Sequence, residues 1–266
     1  MKALYCLFIF LILADFSSCQ INDYAPGYDF SLFRNTPVYE LANAVENQDT
    51  IEIQKLVKNN FLNVDYREPK FGNTLLLLAI VNNKNLSASK LLNLGSNPNL
   101  RTFNGKSPFL AACFGAREIK EPRKILQMLI NHGADVNSVQ VDTTFDQFGK
   151  RQDFQASALM LACSYGNLES VKVLVENGAS LTSYGNNEDA ILSNALTSRN
   201  LDIVKYLMIN KHAPIPDYCV LREPGTREEK KLTMTDLLNE VDYTENKEKQ
   251  KLKLEIIDYL RNKGKR

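Results

Sequence analysis

Few residues in this sequence have the types and spacing that chemistry requires. The two histidines, His132 and His212, are far apart in the chain, and the motifs His-x-x-x-His, Cys-x-x-Cys, Gly-x-Ser-x-Gly and Gly-x-x-x-x-Gly-Lys-Ser/Thr are absent. Asp142 and Asp146 share one segment, but two carboxylates without further oxygen ligands do not make a Ca²⁺ or Mg²⁺ site. We therefore predict no catalytic, cofactor-binding or metal-binding residue, and we expect that the protein is not an enzyme.

The charge balance argues against one class of partner. The chain of 266 residues has 32 Lys and Arg against 31 Asp and Glu, so its formal net charge is +1. A nucleic-acid footprint requires a basic stripe, whereas the most basic stretches, Arg227–Lys231 and Lys247–Lys253, are interleaved with Glu. We expect no nucleic-acid partner. Five cysteines do not make a disulfide scaffold here, and we expect Cys113 and Cys163 to be buried core residues because stacked helices lie too far apart for a bridge.

A segment that recurs at near-fixed spacing determines the architecture. The copies are 35, 33, 50 and 33 residues apart, measured between the small residues Ala44, Ala79, Ala112, Ala162 and Ala195. Two insertions explain the long interval, one of about five residues near 117–123 and one of twelve residues within 139–155. A period near 33 is typical of stacked helix pairs, which form binding surfaces far more often than catalytic clefts.

The residue types within each copy have separate structural reasons. The small alanine fits where two helices and the neighbouring copy converge. Gly95 follows the second helix and suits a left-handed C-cap, and Asn97 and Asn99 suit the tight turn after it. Thr74 and Ser107 precede a first helix, where a hydroxyl caps the N-terminus. Each copy is therefore predicted to be a helix pair followed by a turn.

The ends of the repeat region are less regular. In the first copy we expect Asn60 at the glycine position, and in the fifth copy either Lys211 or His212. A terminal unit is predicted over residues 233–264, where Gly264 aligns with the glycine of the other copies. A polar outer face there would suit a capping repeat.

Two segments carry a family resemblance. Residues 105–112, Gly-Lys-Ser-Pro-Phe-Leu-Ala-Ala, resemble the ankyrin signature Gly-x-Thr-Pro-Leu-His-x-Ala, and residues 131–137 resemble the ending Asn-Gly-Ala-Asp-Val-Asn. The resemblance covers roughly residues 37–216. It implies an all-α fold class, an ankyrin-repeat solenoid of stacked helix-turn-helix units with β-hairpin-like loops. We predict one domain over residues 37–266, with about five repeats, a C-terminal capping unit and a long loop at 139–155.

The N-terminus predicts the cellular compartment. Met1-Lys2 and the apolar run 3–14 read as a secretory signal peptide over residues 1–18. Residues 16–19, Phe-Ser-Ser-Cys, resemble a bacterial lipobox, with Phe where Leu is usual. The resemblance implies lipidation of Cys19, a lipid-anchored tether over residues 19–36, and an exported protein anchored in the cell envelope that faces the periplasm or the surface. The alternatives are ordinary cleavage, which gives a soluble secreted protein, and a poorly cleaved membrane anchor.

The ankyrin resemblance also implies where a protein partner binds, namely at hairpin tips and on the exposed side of first helices. Aromatic and arginine side chains are the usual anchors of such interfaces. The predicted partner-binding residues are Arg101, Phe103, Phe114, Phe145, Phe148, Phe154 and Tyr165. Two alternatives stay open: the phenylalanines of the long loop pack onto their own stack, or Phe103, Phe114 and Tyr165 are core residues.

These expectations define the function that the sequence favours. We predict a non-enzymatic protein–protein interaction module in the bacterial envelope, monomeric when free. Exported ankyrin proteins that resemble this chain include immunity proteins, so its partner is expected to be a toxin or a secreted enzyme. The alternatives are a scaffold for a housekeeping envelope enzyme and, if Cys19 is not lipidated, a secreted protein that binds host proteins.

Overall fold

Paired helices make up most of the described chain. The computed structural model describes residues 27–115, 119–145, 151–165, 167–182, 190–222, 229–241 and 243–265. In these residues the helices are α1 (Tyr39–Glu46), α2 (Thr50–Asn59), α3 (Leu75–Val81), α4 (Asn85–Asn93), α5 (Pro108–Phe114), α6 (Pro122–Asn131), α7 (Ala158–Ser164), α8 (Leu168–Glu176), α9 (Ala190–Thr197), α10 (Leu201–Lys205), α11 (Met234–Glu240) and α12 (Lys247–Asn262). The strands are β1 (Val139–Phe145), β2 (Arg151–Ser157), β3 (Cys219–Arg222) and β4 (Glu229–Leu232).

The helices stack in two layers. The first helices α1, α3, α5, α7 and α9 pack against one another, and the second helices α2, α4, α6, α8 and α10 pack behind them. The five alanines that mark the copies are all buried between these layers, as their small size predicts. One continuous apolar core runs from Phe30 to Leu260. The predicted solenoid of helix-turn-helix units is therefore confirmed.

Side-chain hydroxyls cap the N-termini of the first helices α3 and α5. Thr74 Oγ1 accepts a hydrogen bond from the backbone N–H of Leu77, and Ser107 Oγ accepts one from Leu110. Both bonds are 3.2 Å long, and both confirm the predicted N-caps. The first helices therefore begin where the sequence predicts.

Glycine closes the middle units as predicted. Gly95, Gly133 and Gly178 have φ angles of 93°, 84° and 88°, a left-handed conformation that glycine adopts without steric cost. In the first unit the prediction of Asn60 is wrong. Helix α2 runs to Asn59, Asn60 is its C-cap with φ at −97°, and Phe61 is the left-handed residue with φ at 53°.

The fifth unit has one residue more than the second and fourth units before its left-handed position, and a wide helical turn accommodates this residue. Helix α10 continues as a π turn over Tyr206–Asn210. A π turn accommodates one residue more than an α turn, so the left-handed position moves from Lys211 to His212, which has φ at 53°. Of the two predicted alternatives, His212 is the one that occupies the glycine position.

Asparagine side chains join one unit to the next. Asn99 Oδ1 accepts the backbone N–H of Asp135 at 2.9 Å, and Asn99 Nδ2 donates to the carbonyl of Gly133 at 2.8 Å. The local turn that the sequence predicts is also present, since Asn97 Oδ1 accepts the N–H of Asn99. The same inter-unit bond joins Asp65 with Asn97 and Asn137 with Ser180.

The N-terminal segment lies on the repeat stack. Residues Phe30–Phe33 form a 3₁₀ turn whose two phenylalanines are buried in the core. Asn73 Nδ2 and Asn82 Nδ2 donate to the carbonyls of Gly27 and Tyr28 at 3.0 and 2.8 Å. The predicted tether over residues 19–36 is therefore wrong for residues 27–36, because their aromatic side chains are core components. The signal peptide at 1–18 and Cys19 lie outside the described residues.

The predicted long loop at 139–155 contains a β-ribbon. Strands β1 and β2 are antiparallel, and their register runs from Val139 opposite Ser157 to Phe145 opposite Arg151. Ser157 then caps α7, so the ribbon leads directly into the next first helix. A second ribbon of β3 and β4, which the sequence analysis did not predict, precedes α11 in the same way. In the described part of the chain, no helix has the length and apolarity needed to cross a membrane.

Candidate protein-binding surface

A buried carboxylate shapes the first hairpin tip, residues 67–73. Glu68 is fully buried, and its oxygens accept the backbone N–H groups of Lys70, Phe71 and Asn73 at 2.6, 2.9 and 2.9 Å. Hydrogen bonds to a charged acceptor are stronger than those between neutral groups. The tip is therefore held in one conformation before any partner arrives.

Phe103 of the second tip, residues 101–107, rests on the first tip. Its backbone N–H donates to the carbonyl of Phe71 at 3.0 Å, and its ring lies 3.0 Å from where a Cβ on Gly72 would be. Arg67 Cζ lies 4.8 Å from the ring centroid, a cation–π contact. The side chain is nevertheless 61% exposed. An aromatic ring is thus fixed in solvent, and it is not a core residue.

Arg101 serves the hairpin itself. Its guanidinium donates to the carbonyl of Gly105 at 2.8 Å and to Ser138 Oγ at 3.2 Å. The side chain is half-buried between the second tip and the start of the long ribbon. Arg101 therefore positions the tip, and its donors are directed inward, although the sequence analysis predicted it as a contact to a partner.

Phe114 and Tyr165 lie together at the ends of two adjacent first helices. Their ring centroids are 4.1 Å apart with an interplanar angle of 49°. Phe114 is 38% exposed and Tyr165 is half-buried. Lys106 Nζ lies 5.1 Å from the Phe114 centroid and donates to the hydroxyl of Tyr28 at 2.9 Å. The sequence predicted the two aromatic residues separately, and the structure brings them into contact.

A groove opens between the N-terminal segment and the two tips. It has a volume of about 360 Å³, and its lining includes Tyr28, Phe71, Asn73, Asn104 and Lys106. Sequence reasoning missed Tyr28 and Lys106. Lys106 stands inside the ankyrin signature and could have been noted there, whereas no pattern in the sequence indicates that Tyr28 lies beside it.

The long ribbon carries the other three predicted residues. Phe145 is the last residue of β1, and Phe154 in β2 lies opposite Asp142. Only the backbone of these strand residues is described, and Phe148 lies outside the described residues. The structure therefore does not test whether these phenylalanines contact a partner or pack on the stack.

The residues that could act as metal ligands or nucleophiles have structural roles in the repeat stack. His132 Nδ1–H donates to the Met128 carbonyl at 2.9 Å, and Nε2 lies 3.2 Å from Asn93 Oδ1, which links two units. Cys113 and Cys163 are fully buried, and burial raises the pKa of both thiols well above the ordinary value. Among the described residues, no group of three or more His, Cys, Asp or Glu side chains could hold a metal ion.

Comparison with known proteins agrees with this architecture. Residues 140–217 match the family model described as "Ankyrin repeats (3 copies)". These residues are therefore similar to ankyrin repeats, and the described helix pairs stack as in an ankyrin solenoid. The solved structure of the human ASB11 ankyrin repeat domain superposes on this chain with a TM-score of 0.50 at 20% identity, covering 66% of this chain and 70% of that one.

Two curated relatives share parts of the sequence. The human transient receptor potential cation channel subfamily A member 1 is 28% identical over 127 residues, which is 48% of this chain and 10% of the channel. A putative ankyrin repeat protein of Rickettsia bellii (strain RML369-C) is 28% identical over 100 residues, 37% of this chain and 14% of that protein. This chain thus matches only a small part of either relative. Its repeats indicate a protein–protein interaction module, on a fold that is typically a non-enzymatic scaffold.

Proposed function

We propose that this ankyrin repeat protein binds its protein partner through one surface at the hairpin tips and first helices. This aromatic–cationic surface consists of Tyr28, Arg67, Phe103, Lys106, Phe114 and Tyr165. The observation that carries the proposal is Phe103, which is 61% exposed although Gly72 and Arg67 fix its ring. Large aromatic side chains provide most of the binding energy in many interfaces.

Preorganisation supports the same surface. Phe114 and Tyr165 contact each other, and Lys106 is held between Phe114 and Tyr28. Side chains that are already ordered lose less entropy when a partner binds. The apolar rings and cations of this surface are therefore already in fixed places before a partner binds.

The cellular role that fits best is an immunity or inhibitor protein in a bacterial envelope. The support is the signal-like N-terminus and the lipobox-like residues before Cys19, together with a repeat fold of the kind that forms binding surfaces. Seven residues lie between Cys19 and Gly27, so the eight residue-to-residue steps span at most about 29 Å. A lipid on Cys19 would therefore keep the tip surface close to the membrane, where it would meet a toxin or secreted enzyme.

Two other roles use the same surface. A scaffold for a resident envelope enzyme would need the same anchor but a different partner. A secreted protein that binds host proteins would need residues 16–19 to be an ordinary cleavage site, and loss of palmitate labelling in a Cys19→Ala variant would exclude that role.

Affinity purification from detergent-solubilised envelopes tests the proposal. Tagged full-length protein and a matched Phe61→Ala control, which removes an exposed ring outside the surface, should both retain a stoichiometric toxin or lytic enzyme. The Phe103→Ala, Phe114→Ala double variant should lose it while unfolding at nearly the same temperature. Retention of the partner by the double variant would refute the surface, and a resident envelope protein in the eluate would favour the scaffold role.

A further inference from the structure

The groove beside Tyr28 has a chemical character of its own. Tyr28 forms one side, Phe71 and Asn104 belong to the two tips, and Lys106 carries a positive charge along the lining. Ligand-binding pockets in proteins typically have volumes of about 300–1,000 Å³. The groove thus has room for part of a polypeptide from the partner.

The cations around the groove have no acidic partner among the residues that the structure describes. None of the ion pairs between those residues includes Arg67, Lys70 or Lys106. The nearby carboxylate of Glu68 is buried and accepts three backbone N–H groups. By contrast, Lys55 on α2 is paired with Glu52 at 3.0 Å. The positive charge at the groove is therefore available to a ligand.

Lys106 is oriented for an anionic group. Its Nζ uses one donor on the Tyr28 hydroxyl, and it lies 5.6 and 5.1 Å from the ring centroids of Tyr28 and Phe114. An ammonium has three donors, so donors are left for a carboxylate. Charge-assisted hydrogen bonds of this type are about twice as strong as neutral ones.

From this arrangement we infer that the groove binds an acidic side chain on an extended segment of the protein partner. The inference rests on the proposed function and adds the chemistry of the bound segment. The exposed rings of Phe103 and Phe114 supply apolar contacts near the charged groove. The recognised segment therefore combines Glu or Asp with flanking apolar residues, and Tyr28, from the N-terminal segment, determines specificity by holding Lys106.

Synthetic peptides test the charge preference without the natural partner. Three short peptides with the same leucines alternate them with Glu, Gln or Lys, and their binding to the full-length chain is measured by fluorescence anisotropy at low salt. We expect the Glu peptide to bind about tenfold more tightly than the Gln peptide, as one charge-assisted contact allows. Equal binding of the Glu and Gln peptides would overturn the inference.

Substitutions locate the contact. Lys106→Gln should abolish the preference for Glu, Lys106→Glu should transfer it to the Lys peptide, and Tyr28→Phe, which retains the ring, should weaken it partly. Lys55→Gln, at an exposed site on α2, is the matched control and should change nothing. A preference for Glu that survives Lys106→Gln in a folded protein would overturn the assignment of the groove.

Two further outcomes separate this inference from the proposed function. Binding to phosphatidylglycerol vesicles that is lost in Lys106→Glu, without any peptide preference, would assign the groove to a lipid headgroup and overturn the inference. If the natural partner is still captured through Phe103 and Phe114 but the peptides show no preference, only the charge assignment fails. If capture by those rings fails, the proposed function fails.

Discussion

Between α4 and α8, asparagine side chains of one unit bond to backbone groups of the next unit, whereas the polar contact between α10 and α12 is a partly exposed ion pair beside the shared apolar core. Asn99 and Asn137 each contribute such a bond, at 2.9 and 2.8 Å. Lys205 and Glu255 lie 2.7 Å apart, with side chains 38% and 36% exposed. Exposed ion pairs contribute little to stability. The middle of the stack is therefore expected to be more tightly coupled than its C-terminal end.

The first tip should show the largest effect. Replacing Glu68 with Ala leaves three backbone N–H groups without their charged acceptor, so we expect the free energy of unfolding to fall by about 3 kcal/mol. Urea denaturation of the full chain measures it. The exposed Glu52→Ala variant is the control and should lose well under about 1 kcal/mol. Comparable losses in the two variants would show that burial of Glu68 does not matter.

The inter-unit links provide the second test. Asn99→Ala and Asn137→Ala should each lower the free energy of unfolding by about 1–2 kcal/mol, because a backbone N–H in the next unit loses its acceptor. Lys205→Met should cost less than about 1 kcal/mol. Added salt should reduce the Lys205 effect and leave the asparagine effects unchanged, since salt screens exposed charges. A larger, salt-insensitive effect for Lys205→Met would reverse the comparison.

The first and fifth units also differ from the middle units in the residue at the left-handed turn position. Phe61 and His212 are left-handed where the middle units have glycine. A side chain in this conformation costs about 1–2 kcal/mol, partly offset by the entropy that glycine loses on folding. Phe61→Gly should therefore raise the free energy of unfolding by about 0.5–1 kcal/mol, and Gly95→Ala should lower it. Differential scanning calorimetry would detect both changes, and a destabilised Phe61→Gly would indicate that the ring makes contacts outside the described residues.

Thiol labelling requires no substitution and should give the smallest signal. Burial raises the pKa of Cys113 and Cys163, so the reactive thiolate is scarce, and iodoacetamide should leave both unmodified in the native protein even at mildly alkaline pH. With increasing urea, Cys219 near the C-terminal end should react before the two cysteines of the middle units. Simultaneous labelling of all three would indicate that the stack unfolds as one unit.

Repeated features could be predicted from the sequence, and unique ones could not. Gly95, Gly133 and Gly178 recur with the same neighbours, so a single physical reason, the left-handed turn, accounts for all of them. Phe61 was missed because α2 continues to Asn59 in a copy that has no glycine to end it. The shift to His212 depends on the π turn at Tyr206–Asn210, for which the sequence has no signal.

The binding surface was predictable only as a set of residue types. Phe103, Phe114 and Tyr165 were selected because aromatic residues at tips and helix ends favour interfaces. Their actual arrangement depends on contacts across units, such as the tilted contact of Phe114 with Tyr165, whose ring centroids are 4.1 Å apart. Tyr28 comes from a segment that lacks the repeat pattern, and its position follows from the burial of Phe30, whose partners in the core no local pattern identifies.

The asparagine links also determine how the stack responds to force. Asn99 and Asn137 each bridge from one unit to the next, and in each case the bridge is to the adjacent unit alone. A pull applied along the solenoid would load these bridges in series, so each would carry the full force and the units would detach singly, the most weakly joined unit first. If the N-terminus is held at a membrane while a bound partner is pulled away, the protein would extend as a compliant spring and return unit by unit.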